Sequence, residues 1–353
     1  RFTGSPHALA VNSATAGLHL ALEAVGVRPG DTVIVPSLTF TATAEVVRYL
    51  GGEVAFADIT GESLLLDPRD VAHRVKRLEA RGKRVAAIVP VHLAGEVCAL
   101  DELREIARRC GGALVEDAAH AFPSRGAAGF AGTLGDAGVF SFYANKTITT
   151  GEGGMVCTAD GELAARIRTM RTHGIDRDSW DRYRTVGAHW YYQVVAPGYK
   201  YNMPDTAAAI GRVQLRRAGT LLELRRRCAH YYGEILADLE REGLIRLPRD
   251  TRDHAWHLYI VRLAPGIDRD EVIAELSRER IGSSVHYIPL HRMPYWSERY
   301  GVTDEDLPRT AAAADRLVSL PLYPGLRENQ QERVAEILGA SVRRRRRSPG
   351  EAS

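Results

Sequence analysis

Lys146 stands in the run Ser141-Phe-Tyr-Ala-Asn-Lys-Thr-Ile-Thr-Thr-Gly-Glu-Gly-Gly154, behind an apolar stretch and ahead of three glycines, where a strand would end at a tight turn. Alpha/beta proteins place reactive groups at such strand ends. A lysine amine whose surroundings lower its pKa becomes a nucleophile toward aldehydes, and a Schiff base of that kind is how pyridoxal 5'-phosphate (PLP) is held. The bland alternative is a surface lysine in a turn. The choice is narrow, because Lys76, Lys83, Lys146 and Lys200 are the only lysines among 47 basic residues. Asp117 lies 29 residues earlier, at the end of another apolar stretch in Leu114-Val-Glu-Asp-Ala-Ala-His-Ala121. PLP chemistry needs a carboxylate against the pyridinium nitrogen, so that the ring stays protonated and acts as an electron sink. An aspartate there could equally cap the following helix. In Asn12-Ser-Ala-Thr-Ala-Gly17, small and hydroxyl residues lead from a strand into a helix whose free N–H groups suit a phosphate, although the same pattern serves as a plain N-cap.

These residues need a scaffold that brings strand ends together. Leu9–Asn12, Thr32–Pro36, Glu53–Ala57, Val85–Val91, Ala113–Glu116, Gly138–Phe142 and Met155–Thr158 read as strands, several of them continuous apolar runs of the kind covered on both faces. Between them Thr15–Val25, Thr41–Leu50, Pro68–Ala80 and Asp101–Cys110 carry apolar residues at helical spacing, with Pro68 at a first helical position. The alternation predicts an α/β fold with a mainly parallel sheet. A helix over Gly161–Thr172 leads into an irregular stretch, Gly174–Tyr201, long enough to be a functional loop. Pro204–Glu240 reads as one or two long helices. From Leu244 the alternation restarts with Trp256–Arg262, Arg269–Arg280 and Ser283–Ile288, which suggests a second, smaller α/β unit. The expected division is a large domain over 1–240, a small C-terminal domain over 241–340 and a disordered arginine-rich tail over 341–353.

Taken in order, the motifs resemble the DegT/DnrJ/EryC1/StrS group of PLP-dependent sugar aminotransferases. The matching stretches are Asn12-Ser-Ala-Thr-Ala, Pro36-Ser-Leu-Thr-Phe40, Pro90-Val-His-Leu-Ala-Gly95, Glu116-Asp-Ala-Ala-His-Ala, Phe140-Ser-Phe-Tyr-Ala-Asn-Lys, Gly151-Glu-Gly-Gly and Pro197-Gly-Tyr-Lys-Tyr-Asn-Met203, continuing through His254-Ala-Trp-His-Leu-Tyr259 and Ser319-Leu-Pro-Leu-Tyr-Pro324. The resemblance implies a fold type I (aspartate aminotransferase-like) architecture with a seven-stranded sheet. It implies that Lys146 binds the cofactor covalently and moves protons, that Asp117 pairs with the pyridine nitrogen and that Phe40 stacks on the ring. It places Ala14, Thr15 and Ser141 on the phosphate and His120 on the ring or its phenolic oxygen. Asn202 would reach the cofactor phosphate of a neighbouring subunit in a homodimer with shared sites, and Lys200, His286 and Tyr287 would lie near the substrate. By the same resemblance the reaction is a ping-pong transfer from L-glutamate or glutamine to a nucleotide-linked ketosugar. The motifs look most similar to enzymes that aminate C4. Amination at C3, amination of a keto-cyclitol and a non-catalytic PLP-binding paralogue remain alternatives. The related dehydratases carry histidine in place of the lysine, so Lys146 argues against them. Relatives carry several dozen residues before the Ser-x-Thr motif, so the chain is expected to lack that N-terminal segment.

Composition limits what else the chain could be. With 353 residues, 45% hydrophobic and 26% charged, it can bury a sizeable core. No run of about 18 apolar residues and no signal-peptide pattern is visible, so a cytoplasmic protein without membrane partners is expected. The spacing of Cys98, Cys110, Cys157 and Cys228 suits neither a disulfide framework nor a metal site. The net charge of +3 depends on Arg343–Arg347; without them 42 basic side chains face 44 acidic ones. A solvated tail is expected there, and no nucleic-acid role. His254 and His257 would fall on opposite faces of a strand, which excludes a metal pair. His92 reads as packing, and Trp180, Trp190, Tyr191 and Tyr192 as cover for a sugar or for a dimer mate.

Overall fold

The computed structural model describes residues 1–126, 128–176, 191–251 and 253–346. Seven strands form the central sheet: β1 (His7–Val11), β2 (Thr32–Pro36), β3 (Glu53–Ala57), β4 (Val85–Ile88), β5 (Ala113–Asp117), β8 (Ala137–Ser141) and β9 (Gly154–Thr158), with a small hairpin, β6 (Arg125–Gly126) and β7 (Gly129–Phe130), between the fifth and sixth of them. Their order is β1-β9-β8-β5-β4-β2-β3. Neighbours run parallel from β8 to β3, while β9 is antiparallel to both β1 and β8. Every residue of β2, β4 and β8 is buried, as the continuous apolar runs predict for a sheet covered on both faces.

The covering helices are α1 (Ala14–Ala24), α2 (Ala42–Tyr49), α3 (Pro68–Glu79), α4 (Leu100–Arg109) and α5 (Gly161–Met170), each within two residues of its expected limits. Ser13, Asp67 and Asp160 cap α1, α3 and α5 by accepting first-turn backbone N–H groups. A 31-residue helix, α6 (Asp205–Ile235), then leads through α7 (Ala237–Arg241) to an antiparallel sheet of β10 (Ile245–Arg246), β11 (Tyr259–Leu263) and β12 (Leu317–Leu320), flanked by α8 (Arg269–Arg278) and by α11 (Glu328–Arg346); α9 (Pro294–Tyr300) and α10 (Pro308–Ala314) lie between α8 and β12.

Three features differ from the sequence expectation. Cys228 and Tyr232 of α6 pack in the cluster of the small sheet, and Leu290, Trp296 and Leu307 pack in that of the main sheet, so packing crosses residue 240 in both directions. Trp256 and His257 precede β11 in a turn, with Trp256 at φ 48°, and of Ser283–Ile288 only Ser284 pairs with the sheet, through Ser319. Third, the expected tail is helical as far as Arg346. Arg343 pairs with Glu242, Arg344 with Glu275 and Arg345 with both Glu271 and Glu275, so acidic partners on neighbouring elements order the arginines. Positive charge at a helix C-terminus adds to this. Arg347 and the rest of the tail, like Trp180 and Trp190, lie outside the described residues. No helix among the described residues is long and apolar enough to cross a membrane.

Candidate active site

β1, β2, β4, β5 and β8 all point the same way, so their C-terminal ends share one edge of the sheet. Asp117 ends β5 and is 5% exposed. Its Oδ2 accepts from Thr43 Oγ1 at 2.8 Å and its Oδ1 from the Ala119 amide at 3.1 Å. Burial pushes its carboxyl up, against the opposing pull of Thr43, Ala119 and Lys146. Thr43 is itself bonded to Thr39 at 2.9 Å. Lys146 lies in the turn after β8, and burial lowers its amine to about 8, with Arg225 pushing the same way and Asp117 opposing. Its Nζ is 3.4 Å from His257 Nε2.

His120 is buried against His257, ring centroids 4.4 Å apart. Its Nδ1 accepts from the Ala94 amide at 3.3 Å, and its Nε2 lies 3.1 Å from the Tyr287 hydroxyl. Burial holds His120 well below its usual value. Phe40, exposed, faces Tyr287 at 6.0 Å. Beside these two rings opens a cleft of about 690 Å³, walled also by Thr39, Glu45, Arg48, Tyr49 and Tyr295. His286 Nδ1 lies 2.8 Å from Ser319 Oγ.

A second group forms where β1 meets α1. Ser13 caps α1, no acidic side chain lies in its first turn, and the leading amides of any helix lack intrahelical acceptors. Gly154 makes the approach possible, since a Cβ there would stand 2.8 Å from the Ser13 carbonyl carbon. Gly154 pairs with Ser141, so Ser141 stands on the strand next to the one that the start of α1 touches, its Oγ accepting from the Tyr143 amide at 3.3 Å. Asn12 Oδ1 is buried with no partner. The Asn202 backbone bridges Val11, and Lys200 Nζ donates to Asn202 Oδ1 at 2.6 Å. Lys200 and Asn202 thus belong to this corner of the chain and have no contact with Lys146.

The residues fit PLP: an anion-ready helix start with a hydroxyl beside it, a buried carboxylate at a strand end and a lysine of lowered pKa. Sequence reasoning missed Thr43, Tyr287 as a partner of His120, and His257 as a neighbour of Lys146. No linear signal marks them beyond their residue types. His92, read as packing, is fully buried, and its Nε2 bonds Glu116, whose carboxylate also accepts the amides of Gly132, Leu134 and Gly135. This knot fixes the strand end that presents Asp117.

Fold and site together define a PLP-dependent sugar aminotransferase of fold type I. The chain belongs to the DegT/DnrJ/EryC1/StrS aminotransferase family, which it matches over residues 1–339. It is 42% identical to the spore coat polysaccharide biosynthesis protein SpsC of Bacillus subtilis over 342 residues, 96% of this chain and 86% of SpsC. Among solved structures it is similar to Spr1654 from Streptococcus pneumoniae, whose PMP form superposes with a TM-score of 0.88 at 28% identity, covering 97% of this chain and 89% of that one. Spr1654 is also solved in PLP and apo forms. DesV of S. venezuelae superposes with a TM-score of 0.82 at 32% identity, over 97% of this chain and 86% of its own.

Proposed function

We propose that the enzyme moves an amino group from L-glutamate, or glutamine, to a nucleotide-linked ketosugar, at C4, in two half-reactions at one site. The observation that carries this reading is a half-buried lysine of lowered pKa whose charge is felt by a buried strand-end aspartate, with an aromatic-walled cleft opening beside Phe40 and Tyr287. Bound PLP supplies an electron sink for the carbon that loses its proton. Lys146 would be its covalent attachment point, and its amine, brought down to about 8 and so deprotonated far more readily than an ordinary lysine, would take and return the proton. Asp117, oriented by Thr43 and the Ala119 amide, faces the ring nitrogen. The Ala14 and Thr15 amides and the Ser141 hydroxyl bind the phosphate. Phe40 would stack on the ring and His120 would lie on the ring or near its phenolic oxygen, with the Tyr287 hydroxyl 3.1 Å from Nε2 holding the imidazole in place. The cleft beside Phe40 and Tyr287 receives the sugar, with Lys200 and His286 toward its nucleotide.

Asn202 serves the partner's phosphate in a homodimer. Tyr143, Tyr191, Tyr192, Val194, Ile210 and Val213 are large apolar side chains left exposed on a single chain and available to such a partner. A cytoplasmic location accords with the nucleotide-linked acceptor.

The test is the visible spectrum of the purified enzyme with PLP, before and after L-glutamate. A yellow band that bleaches is expected, and Lys146→Ala should bind PLP without that band and lose turnover. Full activity in Lys146→Ala would sink the reading. Acceptor use that does not require a nucleotide diphosphate would move it to keto-cyclitols.

A further inference from the structure

The Lys146 amine has one side-chain neighbour that neither its strand nor its turn supplies. His257 reaches it from the segment before β11, Nε2 to Nζ at 3.4 Å, and is 5% exposed. The other ring nitrogen, Nδ1, is buried with no partner. That asymmetry selects a tautomer. A proton on Nδ1 would bury an N–H with no acceptor, which folded proteins almost never tolerate, whereas an unfilled lone pair is milder. The proton therefore sits on Nε2, facing Lys146, and an N–H facing an amine can donate only to a lone pair. An ammonium has none.

We propose that His257 is a positioning residue for Lys146, its Nε2–H donating to the amine's lone pair so that the amine is held neutral and in place. The inference rests on Lys146 being the attachment point.

The rest of the setting agrees. Arg225, on α6 and 5% exposed, donates from Nη1 to the carbonyls of Trp256 at 3.2 Å, His257 at 3.3 Å and Leu322 at 3.1 Å. It fixes the backbone that aims the imidazole. The charged and titratable groups facing the pair are Asp117 from β5, His120 from the segment after it, His286 from the segment before α9 and Arg225 from α6. Asp117 alone favours an ammonium. Burial, then His120, Lys146, Arg225 and His286, hold His257 well below its usual value, so the imidazole is uncharged.

The experiment follows covalent capture of PLP by cofactor-free enzyme, read as growth of the yellow band across the pH range. Wild type should show a rate that rises through a midpoint of about 8. His257→Phe removes the donor, and His257→Asn, whose shorter amide stops at the Nδ1 position, does so while keeping polarity. Both should raise the midpoint by about one pH unit, a roughly tenfold fall in rate below both midpoints. His257→Gln, whose amide reaches the Nε2 position, should stay near wild type. Noncovalent PLP affinity, measured with Lys146→Ala added to each variant, should change less than about twofold, which separates positioning from general damage. If His257→Phe does not fold, His257→Asn carries the test. A midpoint that stays or falls in the folded variants overturns the proposal. Absence of a yellow band in wild type would instead overturn the assignment of Lys146.

Discussion

Lys146 is the residue at which the molecule gives up stability for reactivity. Its amine is pushed from 10.5 to about 8, chiefly by burial. Below pH 8 both the folded and unfolded forms carry the proton, so the folded form bears the full cost of a buried cation. Between about 8 and 10.5 the unfolded form binds more protons, so stability rises with pH through that window, and above it the cost is gone. Lys146→Met, similar in volume and uncharged, should therefore raise the unfolding midpoint of cofactor-free enzyme at pH 7. The gain should shrink as pH is raised through the window, as denaturant titrations at pH 7, 9 and 10.5 would read. An equal gain at all three would show that the amine is not buried as described. Lys146 and Asp117 stand out in the sequence as candidates because PLP chemistry needs an amine and a carboxylate at strand ends, and Ser141 through the resemblance to the family. Thr43 and His257 were not, since a threonine 74 positions from Asp117 and a histidine 111 positions from Lys146 carry no linear mark.

At the scale of elements, the phosphate corner depends on how closely α1 approaches β9. A Cβ at Gly154 would meet backbone of Ser13 and Ala14 within 2.9 Å, and backbone cannot step aside as a flexible side chain does. Gly154→Ala should push the start of α1 away. The expected loss is about 1–3 kcal/mol of stability, the usual cost of overpacking. PLP affinity should also fall more than that of pyridoxal, which lacks the phosphate, and an unchanged ratio of the two affinities would separate the helix start from the phosphate. The limits of α1 to α5 were legible because caps and helical periodicity are local. The segment before β11 was misread because its alternation looks like a strand, whereas Arg225, far along the chain, pins its carbonyls into a turn.

At the scale of the whole molecule, Leu290, Trp296 and Leu307 return to the cluster under the main sheet, and Ile260 and Leu317 of the small sheet pack in one cluster with Ile34, Ile88 and Leu114 of the large one. Lys200 and Asn202 lie at the corner of β1 and α1, away from their own chain's Lys146 contacts. If Asn202 serves a partner's phosphate, mixing Lys146→Ala with Asn202→Ala chains creates dimers with one site intact in both residues. Activity of the reassembled mixture should then exceed that of either variant alone. Sites built within one chain would give no gain, because every mixed dimer would lack one residue in each site. The arginine run also resolves only at this scale: Arg343, Arg344 and Arg345 are paired with Glu242, Glu271 and Glu275.

The sequence by itself determined the α/β class, the sheet strands and the helix limits, and it marked a lysine and an aspartate at strand ends as the candidates for the proposed site. Each of these is written in neighbouring residues through periodicity, turn chemistry and the residue types the reaction requires. Tertiary structure alone decided that His257 meets Lys146, that Thr43 orients Asp117, that Cys228 and Tyr232 of α6 pack with the small sheet and that the last described arginines are helical. Those outcomes depend on side chains that packing brings together from distant segments, and on the burial that shifts their charge, neither of which has a period or a spacing in the chain.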